Sequence, residues 1–194
     1  MKSIILHVTV IFSVLLFSGC QSVRVPKGIK PVSAQGVIDR NGSIYVPIGV
    51  DGHYFSFPAR TQKLAKDSGA QAAAVLFSGL QRYQPRTVMG TGVENEHQAL
   101  ASARDKGLKY VVYSRVNDWT DASYLTCSAA YVDSVNVDVS IYEVASGEVV
   151  RLDEIYNGGC PTRIFSIPFG TSSPAGRFKS ILDVWLREHF REVR

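Results

Sequence analysis

The sequence predicts an α/β fold in which helices pack on a mixed sheet of about five strands. Segments with a two-residue hydrophobic period alternate along the chain with segments of helical period. Read loosely, the element order is β-α-β-α-β-β-β-α. Because crossovers between parallel strands are right-handed, this order predicts that the first three strands are parallel and that a hairpin adds antiparallel strands.

Turn and cap residues bound the first elements. The predicted strands are 43–50, 86–89 and 108–116. The third is mostly apolar, which favours a central position with both faces buried. A loop through Pro58 follows the first strand, and Ser68-Gly69-Ala70-Gln71 has the spacing of a capping box at a helix start. Asn95 is the predicted cap of the second helix, which ends at Lys106-Gly107.

The second half of the chain predicts a hairpin and a final helix. Alternation over 131–144 places Val135, Val137, Val139 and Ile141 on one face of a strand. Ala145-Ser146-Gly147 forms the turn, and 148–156 returns as the partner strand. Ser173-Pro174 begins a helix that lies across the sheet. Its apolar stripe consists of Phe178, Ile181, Leu182 and Trp185, with His189 at the edge as a packed residue.

Residues 1–19 have the layout of an export signal. Lys2 gives a charged start, residues 4–17 are mostly apolar, and Ser18-Gly19 places small residues before Cys20. The apolar segment is too short for a stable membrane span. It resembles a bacterial lipobox, which implies cleavage before Cys20 and acylation of that cysteine. The alternative is an ordinary secreted protein in which Cys20 merely lies near the cleavage site.

Acylation would attach a palmitate-type lipid to Cys20, and this lipid would be the contact of the protein with the membrane. Each buried methylene contributes roughly 0.8 kcal/mol, so several acyl chains anchor a protein stably. Gln21 stands where enterobacterial lipoproteins retained in the inner membrane usually have Asp, and this resemblance implies the outer membrane. Residues 20–42 are polar and turn-rich, which predicts a flexible tether. Residues 43–194 then form a single globular domain facing the periplasm.

The two remaining cysteines predict a disulfide. Cys127 and Cys160 lie just outside opposite ends of the predicted hairpin, and antiparallel pairing would bring them together. The periplasm is an oxidising compartment in which such bonds form. Two unpaired thiols are the alternative.

Composition and motifs argue against several classes of function. The 21 Lys and Arg residues are scattered and the net charge is +4, so no nucleic-acid partner is expected. His53, His97 and His189 lie in unrelated elements without metal-ligand spacing. Gly90-Thr91-Gly92 lacks the third glycine and the lysine of a phosphate-binding loop, and no nucleophile elbow is present. The sequence therefore predicts a protein without a cofactor, a metal or a catalytic centre.

The segment after the central strand contains the candidate binding residues Asp118, Trp119 and Asp121. An indole between carboxylates at a strand end is suited to a peptide, a sugar or a partner protein, because Trp offers a flat face and one donor. The alternative is structural: Trp119 covers the end of the core while the aspartates cap the turn.

A set of residues between 95 and 157 carries a resemblance to a known family. They are His97-Gln98-Ala99-Leu100, Ala103, Lys106-Gly107, Tyr110-Val111-Val112, Trp119, Asp121, Asp133, Val139-Ser140-Ile141-Tyr142 and Ser146-Gly147-Glu148. The pattern resembles uncharacterised bacterial outer-membrane lipoproteins defined only as a domain of unknown function. The element order is also similar to that of the curli secretion lipoprotein, the penicillin-binding-protein activator lipoproteins and the TolB amino-terminal domain.

Two functions are compatible with this sequence. The first is a non-catalytic, lipid-anchored envelope protein whose domain binds another envelope component, either a protein or peptidoglycan. The second is an envelope hydrolase or glycan-binding enzyme that uses acidic residues near Trp119, such as Asp118 and Asp121. Glycoside chemistry needs two carboxylates at a defined separation, which the sequence alone does not give.

Overall fold

The computed structural model describes residues 27–34, 38–39, 41–56, 59, 61–122, 132–160, 162–164, 167–169 and 173–190. The helices are α1 (Ser68–Leu80), α2 (Glu96–Asp105) and α3 (Pro174–His189). The strands are β1 (Gly28–Ala34), β2 (Ile44–Ile48), β3 (His53–Ser56), β4 (Thr61–Leu64), β5 (Thr87–Val93), β6 (Tyr110–Thr120), β7 (Asp133–Glu143), β8 (Val149–Gly159), β9 (Thr162–Ile164) and β10 (Ile167–Phe169).

An eight-stranded mixed sheet forms the centre of the fold. Its main order is β1-β8-β7-β6-β2-β5, and the β3–β4 hairpin joins it through β3 and β6. Strand β2 pairs in parallel with both β5 and β6, whereas β6, β7, β8 and β1 are antiparallel neighbours. The predicted mixed sheet is therefore confirmed: the predicted parallel strands β6, β2 and β5 are neighbours, with β5 at an edge, and the sheet has more strands than expected.

Helices cover the two faces of the sheet unequally. We call the face under α1 and α3 the first face and the face under α2 the second face. The main core lies on the first face, where Trp185 and Phe178 pack with the alternating valines of β7. A smaller cluster lies on the second face, where Tyr45, Tyr113 and Tyr142 pack around the alanines of α2. The predicted alternation of β7 is confirmed.

The amino-terminal strand corrects the predicted tether. Residues 28–34, which were expected to be part of a flexible segment over 20–42, pair antiparallel with β8 and form an edge of the sheet. Ile29 packs against the main core, and Lys30 forms an ion pair with Glu154. Pro31 contributes to the turn-like composition of this segment, and the strand register shifts between Pro31 and Ser33. A proline and a bulge are both tolerated in an edge strand.

A second correction concerns the long loop predicted after the first strand. It contains the β3–β4 hairpin, whose two short strands pair from His53↔Leu64 to Ser56↔Thr61. Runs of four residues are too short for hydrophobic periodicity to separate them from a loop. Local signals succeeded elsewhere: Asn95 forms the predicted capping box, and Gly107 and Gly147 have the positive φ angles of the predicted helix end and turn.

Several predicted features lie outside the described residues. They are the signal 1–19, Cys20, Gln21 and Cys127. Cys160 follows β8, is half-buried and takes part in a disulfide, but its pairing with Cys127 stays a prediction. Within the described part of the chain, no helix has the length and apolar character needed to cross a membrane.

Candidate functional site

A cleft of about 550 Å³ opens at the carboxyl end of β6. Strand β6 contributes Trp119 and the following Asp121, and β3 contributes Tyr54 and Ser56. The remaining wall is formed by the starts of α1 and α3, through Ala65, Lys66, Gln71, Ser173 and Pro174. The cleft thus lies beyond the carboxyl ends of the parallel strands, where α/β folds commonly bind ligands.

The start of α1 is fixed by a residue from another element. Asp51, in the loop between β2 and β3, accepts backbone N–H bonds from Asp67 at 3.0 Å and Gly69 at 2.9 Å. The hydroxyl of Ser68 accepts the N–H of Gly52 at 2.9 Å. These contacts hold the cleft residues Lys66 and Gln71 against the end of the sheet.

The predicted capping box at this helix is wrong. Ser68 is the first helical residue, and the N-cap is Asp67, which has φ 63° and makes no side-chain cap bond. In a capping box, the Ser68 hydroxyl would accept a backbone N–H of its own helix. Here it accepts the backbone N–H of Gly52 instead. A side-chain acceptor brought from Asp51 replaces the local cap, so the tertiary contact prevailed over the sequence motif.

Trp119 covers the end of the main core and also borders the cleft. Its side chain is 6% exposed and packs edge-to-face on Phe178, with ring centroids 6.3 Å apart. Most of the indole is therefore structural, as the alternative interpretation expected, while its exposed margin remains part of the cleft wall. Tyr54 supplies the second aromatic ring.

The two predicted carboxylates have different surroundings. Asp118 lies on the second face, where it accepts hydrogen bonds from Thr120 at 2.6 Å and from the hydroxyl of Ser134. Asp121 is exposed and lines the cleft. Partial loss of solvent around its carboxyl group, and then the negative charge of Asp133, raise the pKa of Asp121 above its ordinary value. The structure therefore brings Trp119 and Asp121 together in the cleft, but Asp118 is not part of its wall.

Sequence reasoning did not assign five polar or aromatic residues to this site: Tyr54, Ser56, Lys66, Gln71 and Ser173. Each belongs to an element whose position relative to β6 is set by tertiary contacts. One usable signal was present, because 53–56 and 61–64 are two short segments separated by a turn with Pro58. Reading them as a hairpin would have placed Tyr54 and Ser56 on one face.

A buried ionic cluster lies under the carboxyl end of α3. The carboxylate of Asp153 is fully buried, accepts the indole N–H of Trp185 at 2.6 Å and binds Arg151 through two nitrogens, one at 3.0 Å. His189 lies beside it, 3.8 Å from Nε2 to the carboxylate. Burial, and then the charge of Arg151, lower the pKa of His189. The partners of Asp153 satisfy its charge, so this cluster joins α3 to β8.

The described residues contain no group of three or more His, Cys, Asp or Glu side chains arranged to hold a metal ion. The cleft itself offers one carboxylate, one ammonium group, one amide and three hydroxyls, one of them on Tyr54, next to the indole of Trp119. Such a set can hydrogen-bond a peptide or a glycan while the rings pack on its apolar parts.

Residues 37–163 match a family described as a domain of unknown function, DUF4823. The chain belongs to this family. The resemblance inferred from the residues between 95 and 157 is thus confirmed. No curated protein matches the DUF4823 chain.

Solved structures resemble this DUF4823 protein at low sequence identity, and the similarity extends to the fold for the first of them. The PelC dodecamer from Paraburkholderia phytofirmans aligns with a TM-score of 0.58 and 16% identity, over 86% of this chain and 100% of that chain. The LpoB C-terminal domain from Salmonella enterica aligns with a TM-score of 0.40 and 15% identity, over 63% and 86% of the two chains. A DUF330 protein from Xanthomonas campestris aligns with a TM-score of 0.41 and 11% identity, over 86% and 88%.

Proposed function

We propose that this DUF4823 protein is an outer-membrane lipoprotein, anchored through lipid on Cys20, whose periplasmic domain binds another envelope component without catalysing a reaction. The partner is an envelope protein or peptidoglycan, and the cleft at the end of β6 is the binding site. The anchor rests on the lipobox-like sequence before Cys20. We also propose that Cys127 is the disulfide partner of Cys160, since the two lie at opposite ends of the β7–β8 hairpin.

The composition of the cleft is the observation that carries the binding proposal. Its volume of about 550 Å³ is within the range of small-molecule and short-peptide sites. Lys66 and Asp121 give it one charge of each sign, and Tyr54 and Trp119 give it apolar surface. Peptides and the peptide-bearing glycan of the cell wall contain carboxylates, amines and apolar faces that match these groups.

Tyr54 is the residue with which to test this proposal, because its ring is only half-buried and is not required for the core in the way that Trp119 is. We expect Tyr54→Ala to weaken binding about 30-fold, which corresponds to roughly 2 kcal/mol for a central aromatic contact. Binding is measured by co-sedimentation with purified peptidoglycan sacculi, and by photocrosslinking in intact cells from a probe at Ser56. Val88→Ala is the matched control, because Val88 is exposed at the opposite end of the sheet.

The two measurements separate the possible partners. Sedimentation with sacculi identifies peptidoglycan, whereas a crosslinked adduct at Ser56 that is lost in Tyr54→Ala identifies a protein. If neither signal depends on Tyr54, the cleft is not the binding site and the proposal fails.

The place of Asp121 in the cleft wall favours the alternative, an envelope hydrolase or glycan-binding enzyme, and the direction of its pKa shift is consistent with it. A carboxyl group that holds its proton at a higher pH is suited to act as a general acid. Peptidoglycan turnover that is lost in Asp121→Asn, but retained in the Val88→Ala control, would replace the binding proposal with this enzyme.

A further inference from the structure

The β3–β4 hairpin presents two large apolar side chains to solvent. Phe55 is 56% exposed and Leu64 is 58% exposed. The pairings His53↔Leu64 and Phe55↔Gln62 place both on the second face of the sheet, whereas Tyr54 points to the cleft on the first face. Two such side chains, diagonal neighbours on one face of one hairpin, form a contiguous apolar surface rather than singly scattered residues.

Further exposed valines lie at the same end of the sheet. Val50 follows β2 and Val93 ends β5, and both are more than half exposed. Since β2 and β5 are parallel, their carboxyl ends lie together, next to the base of the hairpin. The hairpin strands contain Lys63 as their only Lys, Arg, Asp or Glu residue. The hairpin strands therefore carry one positive charge, and Val50 and Val93 extend the apolar surface at this end of the sheet.

The strand register places the amino-terminal end of β1 at the level of this hairpin. One continuous row of paired residues crosses the sheet: Gly28↔Tyr156, Tyr156↔Asn136, Asn136↔Asp118, Asp118↔His53 and His53↔Leu64. Neighbouring strands are about 4.8 Å apart, so Gly28 and Leu64 are separated by roughly 24 Å along the row. Phe55 lies two residues beyond His53, about 7 Å further toward the carboxyl end of β6.

The length of chain before β1 keeps this end close to the lipid anchor. Eight residue steps connect Cys20 to Gly28. Even a fully extended chain covers at most about 3.5 Å per residue, or roughly 28 Å in all. Lys27, exposed next to Gly28, adds a positive charge where the chain joins the sheet. The chain therefore enters the sheet at the end that carries the apolar hairpin, and an anchor at Cys20 would lie within roughly 28 Å of Gly28.

We propose that Phe55 and Leu64 insert into the phospholipid surface to which Cys20 is anchored, as a second point of membrane contact. This inference rests on the lipid anchor of the proposed function. Exposed aromatic and aliphatic residues next to lysines are the combination that binds the interface of an anionic bilayer. Because Tyr54 lies on the opposite face of the same hairpin, the inserted hairpin holds the cleft beside the membrane. The ligand of the cleft must then be reachable at the bilayer surface.

Fluorescence quenching by lipids tests the insertion directly. The lipidated full-length protein is placed in vesicles of phosphatidylethanolamine and phosphatidylglycerol with brominated acyl chains. We expect the emission added by Phe55→Trp to be mostly lost to the bromine atoms, after subtraction of the wild-type signal from Trp119 and Trp185. Val88→Trp is the control, because Val88 is an exposed residue near the start of the edge strand β5, at the opposite end of the sheet. Its added emission should remain.

Labelling of the same preparation with radioactive palmitate distinguishes failure of the hairpin insertion from failure of the lipid anchor. If Cys20 is labelled and Phe55→Trp is quenched no more than Val88→Trp, the hairpin does not insert, and the anchor proposal stands. If Cys20 carries no label, the anchor itself is refuted. If Phe55→Trp is shielded from both brominated lipid and aqueous iodide, and dilution of the protein in the vesicles removes the shielding, a second copy covers the hairpin. That result would also overturn the membrane contact.

Discussion

Helices α1 and α2 begin in opposite ways. At α2, the side chain of Asn95 accepts the N–H of Gln98 at 3.0 Å, and the side chain of Gln98 accepts the N–H of Asn95 at 2.9 Å. At α1, the N-cap Asp67 makes no side-chain bond, and Asp51 from the β2–β3 loop accepts the free N–H groups. One start is closed by neighbours in sequence and the other by a contact across the fold.

This difference separates the parts of the fold that can form alone from those that depend on assembly. The α2 cap can form as soon as its own residues turn, because both partners lie within one helical turn. The α1 cap needs the end of β2 in place. Since Lys66 and Gln71 line the cleft from the α1 start, the shape of the cleft depends on this long-range contact.

The largest effect is expected where α1 approaches the β2–β3 loop most closely. A Cβ at Gly69 would lie 2.1 Å from the carbonyl oxygen of Gly49. Gly69→Ala gains about 1 kcal/mol of helix propensity, but the clash with backbone should lower the free energy of unfolding by about 3 kcal/mol overall. Urea denaturation measures this change. Gly92→Ala is the control, because nothing lies within 4 Å of its Cβ. Equal stabilities of the two variants would show that the loop moves aside at little cost.

The next largest effect is expected at the cap supplied by Asp51. Asp51→Ala removes the acceptor of two backbone N–H groups and should cost about 2 kcal/mol, the upper end for helix caps. Asp51→Asn keeps one acceptor oxygen and should cost less. If the contact also shapes the cleft, Asp51→Ala should weaken partner binding at temperatures where the protein remains folded. If Asp51→Ala shows the full loss of stability but unchanged partner binding, the Asp51 contact stabilises α1 without shaping the cleft.

The smallest effect is expected at the local cap of α2. Asn95→Ala should lower the free energy of unfolding by about 1 kcal/mol. Partner binding should not change, because α2 lies on the second face, away from the cleft. Amide hydrogen exchange should show faster exchange confined to the first turn of α2. Weaker partner binding in this variant would contradict the separation between the two helix starts.

The parts of the fold that the sequence predicted are those whose signal is local or strictly periodic. Alternation over β7 identified its buried face, and Asn95, Gly107 and Ser173 marked helix ends through their own neighbours. Strand β1 escaped prediction because pairing with β8, rather than its own pattern, makes it a strand. The same reason applies to the four-residue strands of the hairpin.

The candidate site was predictable only in part. Trp119 and Asp121 follow the central strand in sequence, so their place at its carboxyl end could be inferred. Asp118 has the same residue type as Asp121, but the pleat puts it on the other face, where Thr120 and Ser134 occupy its oxygens. Lys66 reaches the cleft through the Asp51 contact and Tyr54 through the β3–β6 pairing. The local sequence can indicate the hairpin, but it contains no signal for either of these long-range contacts.

The position of β1 also has a mechanical consequence. With a lipid on Cys20 and the domain held by a partner, any pull on the anchor reaches the sheet at Gly28 and acts along the axis of the strand. The backbone hydrogen bonds between β1 and β8 are then loaded in shear, so that they share the tension. A pull perpendicular to the strand would break them one after another. A lipid anchor on Cys20 would therefore be joined to the folded domain through an edge strand whose hydrogen bonds share the tension.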